Sequence, residues 1–125
     1  MIKQRNLDPS LQKRLGIAEN VLGSMLASAA KTYGADAVAD MDYELHILGS
    51  GIDITNVTPK FIGQKIAIIC PDSTTNATAT TGAGVTWDGT NDVATFADND
   101  DAIFAVAISL TRWFVYSNVG AVAFT

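Results

Sequence analysis

Apolar and polar residues alternate most regularly between Gly82 and Asn118, and the expected fold is built outward from that stretch. Val85 and Trp87 lead into Asp88-Gly89, a pair suited to a hairpin turn because glycine takes positive φ freely. Residues 93–96 form a second short run, the polar quartet 98–101 a second turn, residues 102–110 a third strand and 113–117 a fourth. Four strands so close together predict a locally paired meander. A period of two places Phe104, Val106, Ile108 and Leu110 on one side of the third strand and Ile103, Ala105, Ala107 and Ser109 on the other. The larger side is expected to face the core. The row of small residues, like Ala121 and Ala123 near the end of the chain, is expected to let another layer or another copy approach. From Trp113 to Tyr116 neither face is polar, which predicts a central strand, covered on both sides or lying at a subunit contact.

Earlier in the chain, residues 42–48 alternate as well, with Tyr43, Leu45 and Ile47 expected inward and His46 on the polar face with Asp42 and Glu44. Gly49-Ser50-Gly51 marks a turn, and residues 52–56 a short strand. Residues 61–70 follow, where Ile66, Ile68 and Cys70 alternate with Ala67 and Ile69. The Thr-rich run 71–84 reads as an exposed loop or as an edge strand with Ala77 and Ala79 facing in, and residues 121–124 as a last short strand. The expected fold class is mainly β: a small antiparallel β-sandwich or barrel-like domain over residues 41–125.

Ahead of this domain the apolar period lengthens. Ile17, Val21, Met25, Ala29 and Tyr33 are four apart with Leu22 and Leu26 beside them, which predicts a helix over 17–33, either a bundle element about a threefold axis or a cover for one end of the sheet. Asp8 can cap a helix and Pro9 suits its first turn, so residues 8–16 predict a two-turn helix with Leu11 and Leu15 on one face. Two turns are not stable alone, so this helix must dock, on its own domain or on another protein. Residues 1–40 therefore read as an extended arm followed by a helical docking and oligomerisation segment.

Charge sharpens that division. Residues 1–16 hold four bases, Lys3, Arg5, Lys13 and Arg14, against one acid (+3), whereas the rest holds four bases against twelve acids (−8). The arm has no aromatic residue to stack on a base and too few charges for a phosphate-binding footprint, so a protein partner is expected rather than nucleic acid. Lys3, Arg5, Leu11, Lys13, Arg14 and Leu15 are the candidate docking residues. Only 17% of residues are charged, a balance common where assembly hides part of the surface, so oligomerisation is expected. No stretch reaches the ~20 apolar residues that span a bilayer. The run 21–30 resembles a secretory signal, but Glu19 and Asn20 interrupt it where a signal would already be apolar. No membrane partner is expected.

Candidate chemistry is sparse. His46 has no second histidine or cysteine pair to make a metal site, and Cys70 has no partner for a disulfide. Gly82-Ala83-Gly84 lacks the third glycine of a dinucleotide site, and neither a P-loop nor a nucleophile elbow is present. No enzyme and no cofactor are expected. Asp98, Asp100 and Asp101, with Asn99, are weak candidates for a calcium site, since they are hard oxygen ligands at one turn. The run lacks the central glycine of an EF-hand and has Ser109 where the bidentate glutamate belongs, so a solvated turn is the plainer reading. The glycosylation sequons at Asn56 and Asn76 are read as chance matches in a chain rich in Asn and Thr.

The glycine-bounded hairpin, the polar turn, the alternating strand and Trp113-Phe114-Val115-Tyr116-Ser117-Asn118 together resemble the small β-modules of bacteriophage virion proteins, over roughly the last half of the chain. Head decoration proteins, head fibres and tail fibres use such modules. The resemblance implies a virion structural protein, a homotrimer docked on the major capsid protein or another virion protein through its N-terminal arm. The alternative it implies is a tail-fibre or receptor-binding module for a host surface glycan. In that case loop 71–84 and Trp87, beside its turn, would be the contact.

Overall fold

The structure, a computed structural model, describes residues 30–125. The two-turn helix, the six candidate docking residues and all but the last four residues of the longer helix lie outside the described residues. Those four are extended: Ala30–Tyr33 is strand β1, and Ala37–Val38, placed ahead of the expected β-domain, is strand β2. Both belong to the β-domain, which therefore begins upstream of residue 41.

Eight further strands follow: β3 Leu45–Leu48, β4 Asp53–Val57, β5 Lys65–Cys70, β6 Ala77–Thr81, β7 Val93–Phe96, β8 Asp101–Ser109, β9 Arg112–Val119 and β10 Ala123–Phe124. They form two five-stranded sheets packed as a sandwich, β1-β3-β5-β8-β9 and β10-β7-β6-β4-β2. The mainly β class is as the alternation predicts, but both sheets are mixed. Strands β1, β3 and β5 are parallel in one sheet and β2, β4 and β6 are parallel in the other. The chain coils: each short connection carries it from one sheet to the other, so a strand pairs with the next but one rather than with its neighbour in sequence. Strands β7 to β10 then close the coil with antiparallel pairings. Residues 85–87, expected as a strand, make only an isolated bridge between Thr86 and Arg112. The 98–101 turn joins β7 and β8 across the sheets rather than closing a hairpin. Of the Thr-rich run, residues 71–76 and 82–84 lie outside any strand, as the loop reading expects, whereas β6 is not an edge: it lies third in its sheet, with Ala77 and Ala79 buried as the strand reading predicts.

Two strands face the opposite way from the sequence expectation. In β8 the small residues Ile103, Ala105 and Ala107 are buried, while Phe104, Ile108 and, past the strand end, Leu110 are exposed. In β3 His46 and Leu48 are buried and Leu45 and Ile47 stand on the outer face. The cause is the pair of tryptophans. Trp87 and Trp113 are both fully buried, with ring centroids 6.1 Å apart and planes 29° from parallel. Around them every inward position of β6, β7 and β8 except Thr81, Phe96, Asp101 and Ile103 is alanine: Ala77, Ala79, Ala94, Ala105 and Ala107. Large indoles need small partners to keep a core at native density, so alanine, not the bulkier residues of the same strand, points inward.

The indoles also tie the layers together. Trp113, on β9, donates Nε1 to the Val57 carbonyl of β4 in the other sheet (3.1 Å), and Trp87 donates to the Ala79 carbonyl (3.2 Å). Strand β9 is an edge strand rather than a central one. Its buried tryptophan side is what the apolar run from Trp113 to Tyr116 encodes; its other side is open.

Candidate functional site

The two outer faces of the sandwich differ in chemistry. On the β10-β7-β6-β4-β2 sheet the outward positions include Asp53, Thr78, Thr80, Val93 and Thr95, with Asp53 opposite Thr78 and Thr78 opposite Thr95. Thr78 Oγ1 donates to Asp53 Oδ1 at 2.8 Å. This face is largely polar, and the Thr78 hydroxyl is held by a neighbour of the same face.

The outer face of the β1-β3-β5-β8-β9 sheet is mostly apolar, with Thr32 and Lys65 among its outward positions. Leu45 stands opposite Ala67 and Ala67 opposite Phe104; Ile47 stands opposite Ile69, and Val106 opposite Phe114. Phe104 and Tyr116 pack with centroids 6.5 Å apart, yet Phe114 and Tyr116 remain 50% and 52% exposed. A groove of about 290 Å³ is lined by Phe104, Tyr116, Leu45, Ile66 and Ala67, with exposed Glu44 and Lys65 beside them. At one end of the sheet Gly63 N–H donates to the Ala107 carbonyl (2.7 Å), which brings exposed Phe61 and Ile62 to the same end as Ile108 and Leu110. Among the described residues nothing covers this face. Contiguous apolar area of this kind on a small domain marks an interaction surface.

The small-residue row Ala105 and Ala107, expected at a subunit contact, is core and unavailable to a partner. Ala121 and Ala123 are exposed, but Ala121 lies in a tight turn at φ 59° and Ala123 pairs with Thr95. The surface that sequence reasoning missed is the one it assigned to the interior. Its signal was present in Phe104, Val106, Ile108 and Leu110, which the alternation groups together without giving the direction.

Trp87 cannot serve as a glycan contact, because it is wholly enclosed between the sheets. The acidic turn is likewise structural. Asp101 is buried, and its Oδ2 accepts from the backbone N–H groups of Ala97 and Asp98, both at 3.0 Å. Asp101 Oδ1 has no hydrogen-bond partner and lies against Gly120, where any Cβ would collide with it. Asp98 and Asp100 stay exposed on the outside of the turn, and among the described residues no three acidic, histidine or cysteine groups converge on a metal position. Cys70 is a buried thiol whose pKa burial pushes up, so it remains protonated and unreactive. A hollow of about 440 Å³ lies between residues 41–44 and 60–65; part of its polar lining already pairs, Lys60 with Asp42 and Gln64 Nε2 with the Met41 carbonyl at 2.9 Å, and no cluster of metal-ligating groups forms there among the described residues.

His46 is fully buried rather than solvated. Its Nδ1 lies 2.8 Å from the Tyr33 hydroxyl and its Nε2 3.0 Å from the Tyr43 carbonyl. A carbonyl only accepts, so Nε2 carries the proton and Nδ1 accepts from Tyr33, whose oxygen accepts in turn from Asp40 N–H. Burial is the main cause that holds the imidazole pKa below its usual 6.5; the Tyr43 carbonyl and the Asp40 carboxylate oppose it more weakly. The unfolded chain then binds the extra proton first. Stability from this site is complete above about pH 6.5 and is lost as pH falls from there toward the folded value, at no more than about 1.4 kcal/mol per pH unit. Thermal unfolding between pH 7.5 and 5.5 should show that decline in the wild type and not in His46→Gln. A flat wild-type profile would contradict it.

Compared with models of protein families and with curated proteins, the chain matches none.

Proposed function

We propose that the chain is a structural protein of a bacteriophage particle, a homotrimeric head decoration or head-fibre protein that displays its β-domain. In this reading the arm, through Lys3, Arg5, Leu11, Lys13, Arg14 and Leu15, docks on the major capsid protein or another virion protein. The observation that carries the reading is the contrast between the two outer faces: a Thr-rich face suited to water and an apolar face suited to contact. A protein built to assemble needs that polarity. The titratable groups give no support to catalysis, since His46 is buried between the Tyr33 hydroxyl and the Tyr43 carbonyl, Asp101 is buried against backbone N–H groups and Cys70 is enclosed. The glycan-binding reading loses the residue on which it stood with the burial of Trp87.

Density-gradient purification of particles tests this. The protein should band with the major capsid protein at a constant ratio that survives repeated banding; a band free of it would contradict the proposal.

A further inference from the structure

We infer that the apolar outer face of the β1-β3-β5-β8-β9 sheet is where copies of this chain meet, each groove of Leu45, Ala67, Phe104 and Tyr116 receiving apolar side chains of a neighbouring copy. The inference rests on the trimeric reading above and assigns its contact surface. Three observations identify the occupant as a second copy.

The first is area. Phe104, Ile108, Leu110, Phe114, Tyr116 and Val119 are exposed by 36% to 54%. Together they present roughly 500 Å² of apolar surface, and partly exposed Ile47, Ile69 and Val106 extend the patch toward the ~800 Å² that each partner contributes to a stable interface. The second is charge. The groove rim holds one acid and one base, Glu44 and Lys65. Anionic lipid or nucleic acid would call for a basic rim, and a strongly charged protein for a rim of one sign. A rim bearing both signs is matched by another copy of itself, where Glu44 can meet the Lys65 of a neighbour. The third is the edge. Strand β9 ends its sheet, and past Trp113, whose N–H reaches the Thr86 carbonyl, no further strand flanks it among the described residues. An eight-residue open edge, five of whose residues are apolar or aromatic, beside a largely apolar face is a surface that soluble proteins cover. The same contact leaves the Thr-rich face of the other sheet pointing away from the assembly.

Sedimentation equilibrium on the full chain tests the inference through Phe114→Glu and Tyr116→Glu, singly and together, with Thr80→Glu on the opposite face as control. Phe114 and Tyr116 lie outside the core, so each variant should keep the near-ultraviolet circular dichroism of the stacked tryptophans. Wild type and Thr80→Glu should sediment as trimers at micromolar concentration, and each glutamate on the apolar face should weaken association at least 100-fold, the pair giving a monomer. Trimeric variants with unchanged affinity would overturn this surface and leave the trimeric reading standing. A monomeric wild type would overturn both. A monomeric wild type in which Phe114→Glu speeds hydrogen exchange across residues 17–29 would also overturn it, by showing that the chain's own N-terminal segment fills the groove.

Discussion

Replacing Trp113 with alanine is expected to remove about 4 kcal/mol of stability, a large share of the roughly 5–15 kcal/mol that a domain holds. The loss has two sources. Truncating a fully enclosed indole leaves a cavity that the core does not readily fill, because many of its inward residues, among them Ala107 opposite Trp113, are alanines with no longer side chain to extend into it. The Val57 carbonyl, on the opposite sheet, also loses its donor, and an unpaired buried acceptor costs roughly 1–3 kcal/mol. Trp113→Phe should be milder, since it keeps much of the volume and forfeits the hydrogen bond. Urea unfolding at fixed protein concentration measures both, and a loss below 1 kcal/mol for Trp113→Ala would show that the indole does not hold the sheets together.

The second large effect concerns attachment. Deleting residues 1–16 should leave the β-domain folded, because the strand pairs from Ala30 onward bury their inner faces among themselves. Binding to the particle should be lost. Replacing Leu11 and Leu15 with serine should reproduce most of that loss, and reversing the charges of Lys13 and Arg14 should weaken binding in a salt-dependent way, as for exposed ion pairs. Pelleting with particles that lack the protein reads all three. Normal occupancy by the truncated chain would refute the docking role, and failure to fold would place the arm in the core.

Periodicity made the elements legible and left their direction open. Strands β5 and β7 fall where alternation and turn residues put them, and Ala77 and Ala79 face in as the strand pattern requires. In β8, however, both sides are apolar, so alternation separates Phe104, Val106 and Ile108 from Ile103, Ala105 and Ala107 without saying which set is inside. Size suggested the first set; the two tryptophans, contributed from positions 87 and 113, required the second. The inverted faces concealed the exposed patch, which is the candidate site itself. Parallel pairing was hidden for another reason. A chain that switches sheets at each short turn has the same local turn chemistry as a meander, and only the long-range register distinguishes the two. His46 looked solvated because its neighbours Asp42 and Glu44 are polar, whereas Tyr33, thirteen residues earlier, supplies the partner that lets it be buried.

Reconstruction of intact particles by electron cryomicroscopy is the most direct test of the proposed role. The account predicts trimeric density on the particle exterior into which the two-sheet domain fits, with the Thr78 and Thr80 face outward and the Phe114 face turned toward neighbouring copies. A particle without that density, or one in which the Phe114 face meets solvent and the Thr-rich face packs between copies, would contradict it.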